Sequence, residues 1–325
     1  MKLATLDNGT RDGALIVASR DHRYAVPAAG IAATLQDALD RWDEVAPRLL
    51  ERATALEAGP PADAFEIDVR KLLAPLPRAY QWIDGSAFLN HVRLVRKARG
   101  AEMPDSFLTD PLVYQGGSDT MLPPTSDIAH ATTDWGIDFE AELAVVTGDV
   151  PYGTSAADAA DHVRLVMLLN DVSLRGLIPG ELGKGFGFLV SKPPTAFAPF
   201  AVTPDELGDA WRDGRAHVDV AVDWNGESFG DPNAGPEMHF SFFDLIAHVA
   251  RTRPLGAGTI IGSGTVSNED RRRGSCCIAE RRMIEKIETG DFITPFMSFG
   301  DTVRIEVMHQ GRSLFGAIEQ RVVKA

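Results

Sequence analysis

Short apolar runs broken by turn residues dominate the first part of the chain. Leu3–Leu6, Ala14–Ala18 and Tyr24–Val26 are of strand length and are punctuated by Asn8-Gly9, Asp12-Gly13 and Asp21-His22. At Leu35 the period lengthens. Leu35, Leu39 and Trp42 fall on one helical face, and Thr34 is placed to cap it. Pro47 is expected to break or kink this helix, with Leu49, Leu50 and Leu56 continuing the apolar stripe. The stretch 57–64 (Glu-Ala-Gly-Pro-Pro-Ala-Asp-Ala) has linker chemistry, 65–69 offers one more strand, and Leu76-Pro77 marks entry into a larger region. The pattern predicts a small β-rich domain over residues 1–78 and a larger one over 79–325.

The larger region mixes strands with a few helices. Ser155 and Asp158 resemble a helix start ahead of the apolar run 163–170, which ends at Asp171. Residues 217–224 alternate, with Val218, Val220, Val222 and Trp224 on one face, and Asn225-Gly226 supplies a hairpin turn. A short helix over 242–250 is capped by Ser241, with Asp244 at its third position. Runs 302–308 and 313–318, joined at Gln310-Gly311, read as a last hairpin. Strands outnumber helices without alternating regularly with them, which predicts an α+β fold, mainly β in its larger domain.

Acidic residues interrupt two of the strand-like runs. Glu140 and Glu142 lie in Asp138-Phe139-Glu140-Ala141-Glu142-Leu143, and Asp171 closes the run 163–170. Residues two apart in a strand share a face, so Glu140 and Glu142 are expected on one side and Phe139, Ala141 and Leu143 on the other. Like charges this close, beside apolar sequence, call for protons or a cation. Two readings follow, a solvated acidic edge or a hard divalent ion held by oxygen ligands, and the apolar flanks favour the ion.

Composition narrows the class. In 325 residues, 44% are apolar and 24% charged, the balance of a soluble globular protein with an ample core. A net charge of −14 argues against a nucleic-acid binder. No apolar run approaches the ~18 residues of a membrane span, and the start of the chain meets a turn before a signal-peptide core can form. Cys276 and Cys277 are neighbours and make neither a disulfide framework nor a zinc spacing. The expectation is a cytoplasmic protein.

The glycines at 256, 258, 262 and 264 lack dinucleotide-fingerprint spacing, and Gly183-Lys184-Gly185 lacks the rest of a phosphate loop. Both read as turns that bring backbone close to a site. His91 follows Asp84-Gly85-Ser86, where Ser86 can cap a helix carrying Phe88, Val92 and Val95. If that turn continues, Asp84 and His91 share a face; the alternative is a structural histidine.

Taken in order, these pieces resemble the fumarylacetoacetate hydrolase family. The resemblance rests on Asp84 with His91, Asp138-x-Glu140-x-Glu142, Asn170-Asp171-x-Ser173-x-Arg175, Gly183-Lys184-x-Phe186-Gly187 and Gly262-Ser263-Gly264-Thr265-Val266-Ser267. It runs from about residue 80 to the C-terminus. The small domain ahead of it is similar in size to the one that precedes the catalytic domain in fumarylacetoacetases.

The resemblance implies that Asp84, Glu140, Glu142 and Asp171 hold Mg2+ or Ca2+, with Mn2+ as a further candidate. It makes His91 the general base and Glu280 the acid that orients it, and sets Arg175 and Lys184 as cations near the bound carbonyl and carboxylate. Tyr114, Thr265 and Arg99 take substrate contacts. The implied protein is a homodimer acting on a small diketo acid, with no nucleic-acid or membrane partner. The implied reaction is hydrolysis of fumarylacetoacetate in aromatic amino-acid breakdown. Alternatives within the family are hydrolysis of fumarylpyruvate or another acylpyruvate, and metal-dependent decarboxylation of an oxaloacetate-like acid. An intact His91–Glu280 pair favours hydrolysis over decarboxylation, which needs no attacking water. It also disfavours a non-catalytic metal-binding protein. The stretch between Arg175 and Lys184 is shorter than in animal fumarylacetoacetases, and extra residues precede Glu280, which weakens the choice of substrate.

Overall fold

The computed structural model describes residues 1–98 and 102–325. An 11-stranded mixed sheet runs through both parts of the chain. It starts with Phe65–Glu66, Tyr24–Pro27, Ala14–Ala18 and Lys2–Leu6, and passes to Ala201–Val202 through the register pairs Lys2↔Val202 and Leu3↔Ala201. It continues through Val163–Asn170, Ala141–Thr147, Ile260–Gly262, Trp82–Gly85 and Val113–Gly116, while Ala196–Phe197 pairs with Val163–Asn170. A second sheet of five strands runs Glu227–Gly230, Ala221–Trp224, Thr302–Glu306, Ile318–Lys324 and Ile128–His130. Its inward residues Val222, Ile305 and Ile318 share one buried apolar core with Leu143 and Val145 of the large sheet and with Phe139 just before it. This is a two-domain α+β fold with a small N-terminal domain.

Among the described residues the α-helices are α1 (Leu35–Asp40), α2 (Trp42–Ala58), α3 (Leu89–Ala98), α4 (Ile178–Leu182), α5 (Phe242–Ala250) and α6 (Ile278–Thr289). Thr34 caps α1, and Ser241 with Asp244 forms a reciprocal capping box at α5, as their spacing predicts. Asn225 and Gly226 both take positive φ, the backbone of a tight hairpin turn.

Other local expectations shift. The first helix breaks at Arg41, and α2 runs through Pro47 without interruption. Pro47 is only the sixth residue of α2, so the bond it removes lies near an end already short of partners. The run 65–69 yields only the strand Phe65–Glu66 before a 3-10 turn at Val69–Lys71 capped by Asp68. Ser155 and Asp158 bond to each other ahead of a 3-10 turn, Ala159–His162, instead of an α-helix. The last apolar run pairs as Thr302–Glu306 with Ile318–Lys324, and Met308–His309 with Arg312–Ser313 forms a small outer hairpin.

The sheet order positions the site. Trp82–Gly85 runs parallel to Ile260–Gly262, placing Asp84 opposite Gly262. The latter strand is antiparallel to Ala141–Thr147, which is antiparallel to Val163–Asn170 with Glu142 opposite Leu169. Asp84 near the end of one strand, Glu142 near the start of another and Asp171 just past the end of a third therefore share one edge.

Candidate metal centre and catalytic cleft

At that edge Asp84, Glu142 and Asp171 each direct a carboxylate oxygen to within 4.8 Å of the others, and all three residues are buried. Asp171 Oδ1 accepts from Thr195 Oγ1 at 2.6 Å, and its Oδ2 accepts from Tyr114 and from Lys192 Nζ. Asp84 Oδ1 accepts from the backbone N–H of Gly264 at 3.0 Å. Gly264 has φ of +74°, and a Cβ there would lie 2.2 Å from Gly85 O, so this close approach requires glycine. Glu142 has no such support: among the described residues neither of its buried oxygens meets a hydrogen-bond donor.

The electrostatics follow from this crowding. Burial, then Asp171, pushes the Asp84 carboxyl up to about 8, while burial, then Asp84 and Asp171, pushes Glu142 well above the ordinary range. Protons relieve such a cluster at the cost of its ligating power; a divalent cation relieves it by using all three oxygens. The donor set is all oxygen, as a hard ion such as Mg2+, Ca2+ or Mn2+ prefers, and the orphaned Glu142 oxygens fit it.

Glu140 stands differently from the other acids. The assigned strand pauses at Phe139-Glu140, between Ile137–Asp138 and Ala141–Thr147, yet the two-residue alternation carries through: Glu140 and Glu142 line one cavity while Phe139, Ala141 and Leu143 enter the apolar core. Glu140 Oε1 accepts from Arg175 Nη2 at 2.6 Å and Thr265 Oγ1 at 2.9 Å; Oε2 accepts from Ser173 Oγ at 3.0 Å and from Lys192 Nζ. Burial alone would raise its pKa, but Arg175 and Lys192 outweigh it and hold the carboxyl below its usual range. To join the other three around an ion, Glu140 must release Lys192. Asp138 anchors the opposite side of Arg175, accepting from its Nε at 2.9 Å, and also accepts the backbone N–H groups of Ile278 and Ala279 at the start of α6.

Helix α6 carries Glu280 in its first turn, with Cys277 as the N-cap whose Sγ accepts from Glu280 N at 3.3 Å. Helix α3 brings His91 to meet it: Nδ1 lies 3.0 Å from Glu280 Oε2, with Glu280 fully buried and His91 partly open. Asp84 and His91 reach the same cavity from a strand and a helix rather than from one helical face.

That cavity, of about 140 Å³, is lined by Asp84, His91, Tyr114, Glu140, Glu142, Arg175, Lys192 and Thr265, among others. Of the residues expected from sequence, Lys184 is outside it, on an exposed turn, and the lysine that faces the carboxylates is Lys192. The correction has a physical cause: α4 and the turn after it carry Lys184 outward, and the chain returns at Ser191-Lys192 under the Glu181 carboxylate, which accepts from the backbone N–H groups of Leu189, Val190 and Ser191. Arg99 lies outside the described residues. Lys192, Asp138 and Thr195 were missed in the sequence. A lone lysine before Pro193-Pro194 carries no periodic or motif signal, although Asp138 sat in view two residues from Glu140.

No helix among the described residues is long and apolar enough to cross a membrane. Residues 81–323 match the family model for the fumarylacetoacetate (FAA) hydrolase C-terminal domain, and residues 1–78 match fumarylacetoacetase N-terminal domain 2. Similar curated proteins include oxaloacetate tautomerase YisK of Bacillus subtilis, 28% identical over 62% of this chain and 64% of that protein. The human mitochondrial oxaloacetate tautomerase FAHD2B is 28% identical over 48% of each. The chain thus matches between about half and just under two thirds of those relatives' lengths. Among solved structures, maleylpyruvate hydrolase from Sphingobium sp. SYK-6 in complex with manganese(II) and pyruvate aligns over 100% of both chains, with a TM-score of 0.65 and 17% identity. The fumarylacetoacetate hydrolase of Exiguobacterium antarcticum also aligns over 100% of both, with a TM-score of 0.65 and 18% identity. These structural likenesses speak to the fold. Since the C-terminal family model spans most of the sequence, this protein belongs to the fumarylacetoacetate hydrolase family.

Proposed function

We propose that this protein hydrolyses a carbon–carbon bond of a β-diketo acid in a metal-dependent reaction, with fumarylacetoacetate and the acylpyruvates as candidate substrates. The observation that carries the reading is the His91–Glu280 pair, 3.0 Å apart, with His91 on the wall of the cavity that also gathers carboxylates and Glu280 buried behind it. Asp84, Glu142 and Asp171 would hold Mg2+, Ca2+ or Mn2+. When bound, such an ion supplies Lewis acidity toward the diketo oxygens and a sink for the charge of the departing enolate.

Glu280 accepts from His91 Nδ1–H, which fixes the tautomer and leaves Nε2 as the basic nitrogen. Nε2 takes a proton from water, and the hydroxyl oxygen bonds to the acyl carbonyl carbon. As the tetrahedral adduct collapses, its carbon–carbon bond breaks and the electron pair leaves as an enolate. His91 returns the proton to that carbon. Arg175, and Lys192 in the role expected of Lys184, line the wall with positive charge for the oxyanion. Asp138 acts through Arg175 and the start of α6, so it positions both halves of the machinery.

A second reading, oxaloacetate tautomerisation, draws support from the names of the two curated relatives. It uses the same base to move a proton between carbon and oxygen and needs no attack by water. The proposed working form is a cytoplasmic homodimer. The test is an assay of purified protein against fumarylacetoacetate, fumarylpyruvate and oxaloacetate, with and without EDTA and added Mg2+. EDTA-sensitive loss of diketo absorbance with two carboxylic acid products supports hydrolysis. Ketonisation of oxaloacetate enol with no cleavage of any diketo acid would replace it with the second reading.

A further inference from the structure

The polar cavity does not end at His91. Four of its wall residues, His91, Arg175, Ile178 and Phe188, also line a second cavity of about 750 Å³ between α3, α4 and α6. The first space holds only a few heavy atoms, whereas the second lies within the ~300–1,000 Å³ typical of pockets that enclose drug-sized molecules. Its surface is largely apolar: Val92 and Val95 from α3, Leu182 from α4 and Met283 from α6, with Phe107 and Phe292 beside them.

Two cations line this chamber besides Arg175, and both are engaged. The Arg282 guanidinium lies 4.4 Å from the Phe296 ring centroid and 4.7 Å from that of Phe292, and it donates to Thr294 O. Arg96 lies 4.7 Å from the Phe107 centroid and donates to Glu102 O at 3.2 Å. Guanidinium planes stacked on rings extend an apolar wall more than they invite a carboxylate.

We infer that the chamber receives the acyl arm of the substrate, and that this arm is a bulky apolar group, alkyl of about six carbons or aromatic, in place of the short charged fumaryl arm. The inference rests on the hydrolase reading and sharpens its substrate class. With the diketo acid head at the carboxylate trio, the scissile bond lies near His91, and the acyl side continues past Arg175 and Phe188 into the chamber. Each buried methylene then adds roughly fourfold to transition-state binding.

The test is a series assayed with Mg2+: acetylpyruvate, hexanoylpyruvate, benzoylpyruvate and fumarylpyruvate. Hexanoylpyruvate, with four methylenes more, and benzoylpyruvate are expected to exceed acetylpyruvate in kcat/KM by on the order of 100-fold, and fumarylpyruvate to show no such gain. Met283→Trp, which fills the chamber, and Leu182→Glu, which charges its partly exposed rim, should each collapse the hexanoyl-to-acetyl ratio. Equal or better turnover of acetylpyruvate, or an unchanged ratio in both variants, overturns the inference. If neither an acylpyruvate nor fumarylacetoacetate is cleaved, the hydrolase reading fails by itself. Calorimetric titration of Mg2+-loaded protein with the same compounds then decides the chamber: tighter binding of hexanoylpyruvate than of acetylpyruvate upholds it, and equal or weaker binding overturns it.

Discussion

Lys192 donates from Nζ to Asp171 Oδ2 at 2.6 Å and also reaches Glu140 Oε2, so one ammonium joins the carboxylate trio to the separate Glu140–Arg175 pair. Burial disfavours its charge, but Asp171 and Glu140 outweigh that and raise its pKa above the lysine value. Lys192→Met is expected to lower kcat/KM by at least about 100-fold. It also costs roughly 3–5 kcal/mol of stability in denaturant melts, because it leaves buried charge uncompensated. Lys184→Met, on an exposed turn, should leave both measurements near the parent values.

Glu142 offers the opposite case, a buried carboxylate with no donor. Glu142→Gln should raise the stability of metal-free protein by about 1–3 kcal/mol at alkaline pH, since a neutral amide spares the fold from ionising a third buried carboxyl beside Asp84 and Asp171. The same change should abolish the stabilisation, read as a rise in Tm, on adding Mg2+ or Mn2+, which for the parent is expected to be about 2.7 kcal/mol at a hundredfold excess over Kd. Thermal melts of both proteins with and without the ion check both arms.

The Asp84 carboxyl, at about 8 against an ordinary 3.8, sets a pH dependence. A carboxyl whose folded pKa is raised contributes stability that is complete below its unfolded value and is lost as pH rises through the folded one. Metal-free protein should therefore lose stability between about pH 4 and pH 8. Cation affinity should rise over the same window, because the proton must leave before the oxygen can bind. Calorimetry in buffers of different ionisation enthalpy would register that release, and no buffer dependence at pH 7 would contradict the assignment.

His91→Ala is expected to lower turnover by on the order of 10²–10⁴-fold while leaving metal content near normal, since His91 does not touch the trio. Glu280→Gln should fall between parent and His91→Ala, because an amide still accepts from Nδ1 but no longer stabilises the charged imidazole. Steady-state kinetics paired with elemental analysis separates the two roles; comparable loss of bound metal in His91→Ala would merge them.

Much of this centre was legible in the chain. Glu140, Glu142 and Asp171 stand out because acids beside continuous apolar sequence are costly to bury, Asp84 joins them only through the family resemblance, and the Ser241–Asp244 box and the Asn225-Gly226 turn follow from local chemistry alone. The two-residue rule places Glu140 with Glu142 on the cavity side, as the structure has it, but its pairing with Arg175 and Lys192 is a tertiary event. Lys192 was invisible for a related reason. Its partners lie 52 and 21 residues away, and a lysine announces a buried role only through what the fold places beside it. Helix α6 begins where Asp138, 140 residues earlier in the chain, accepts its first N–H groups, a cap no local pattern can reveal.

The parallel pairing of Trp82–Gly85 with Ile260–Gly262 closes a loop of well over a hundred residues before Asp84 meets Gly264. Contacts so distant in sequence form late, because chain entropy must be overcome first. On the ribosome, a chain that has emerged only as far as Asp171 owns all three acids yet lacks the strand that sets them side by side. Cation binding by these three acids would therefore require the completed topology.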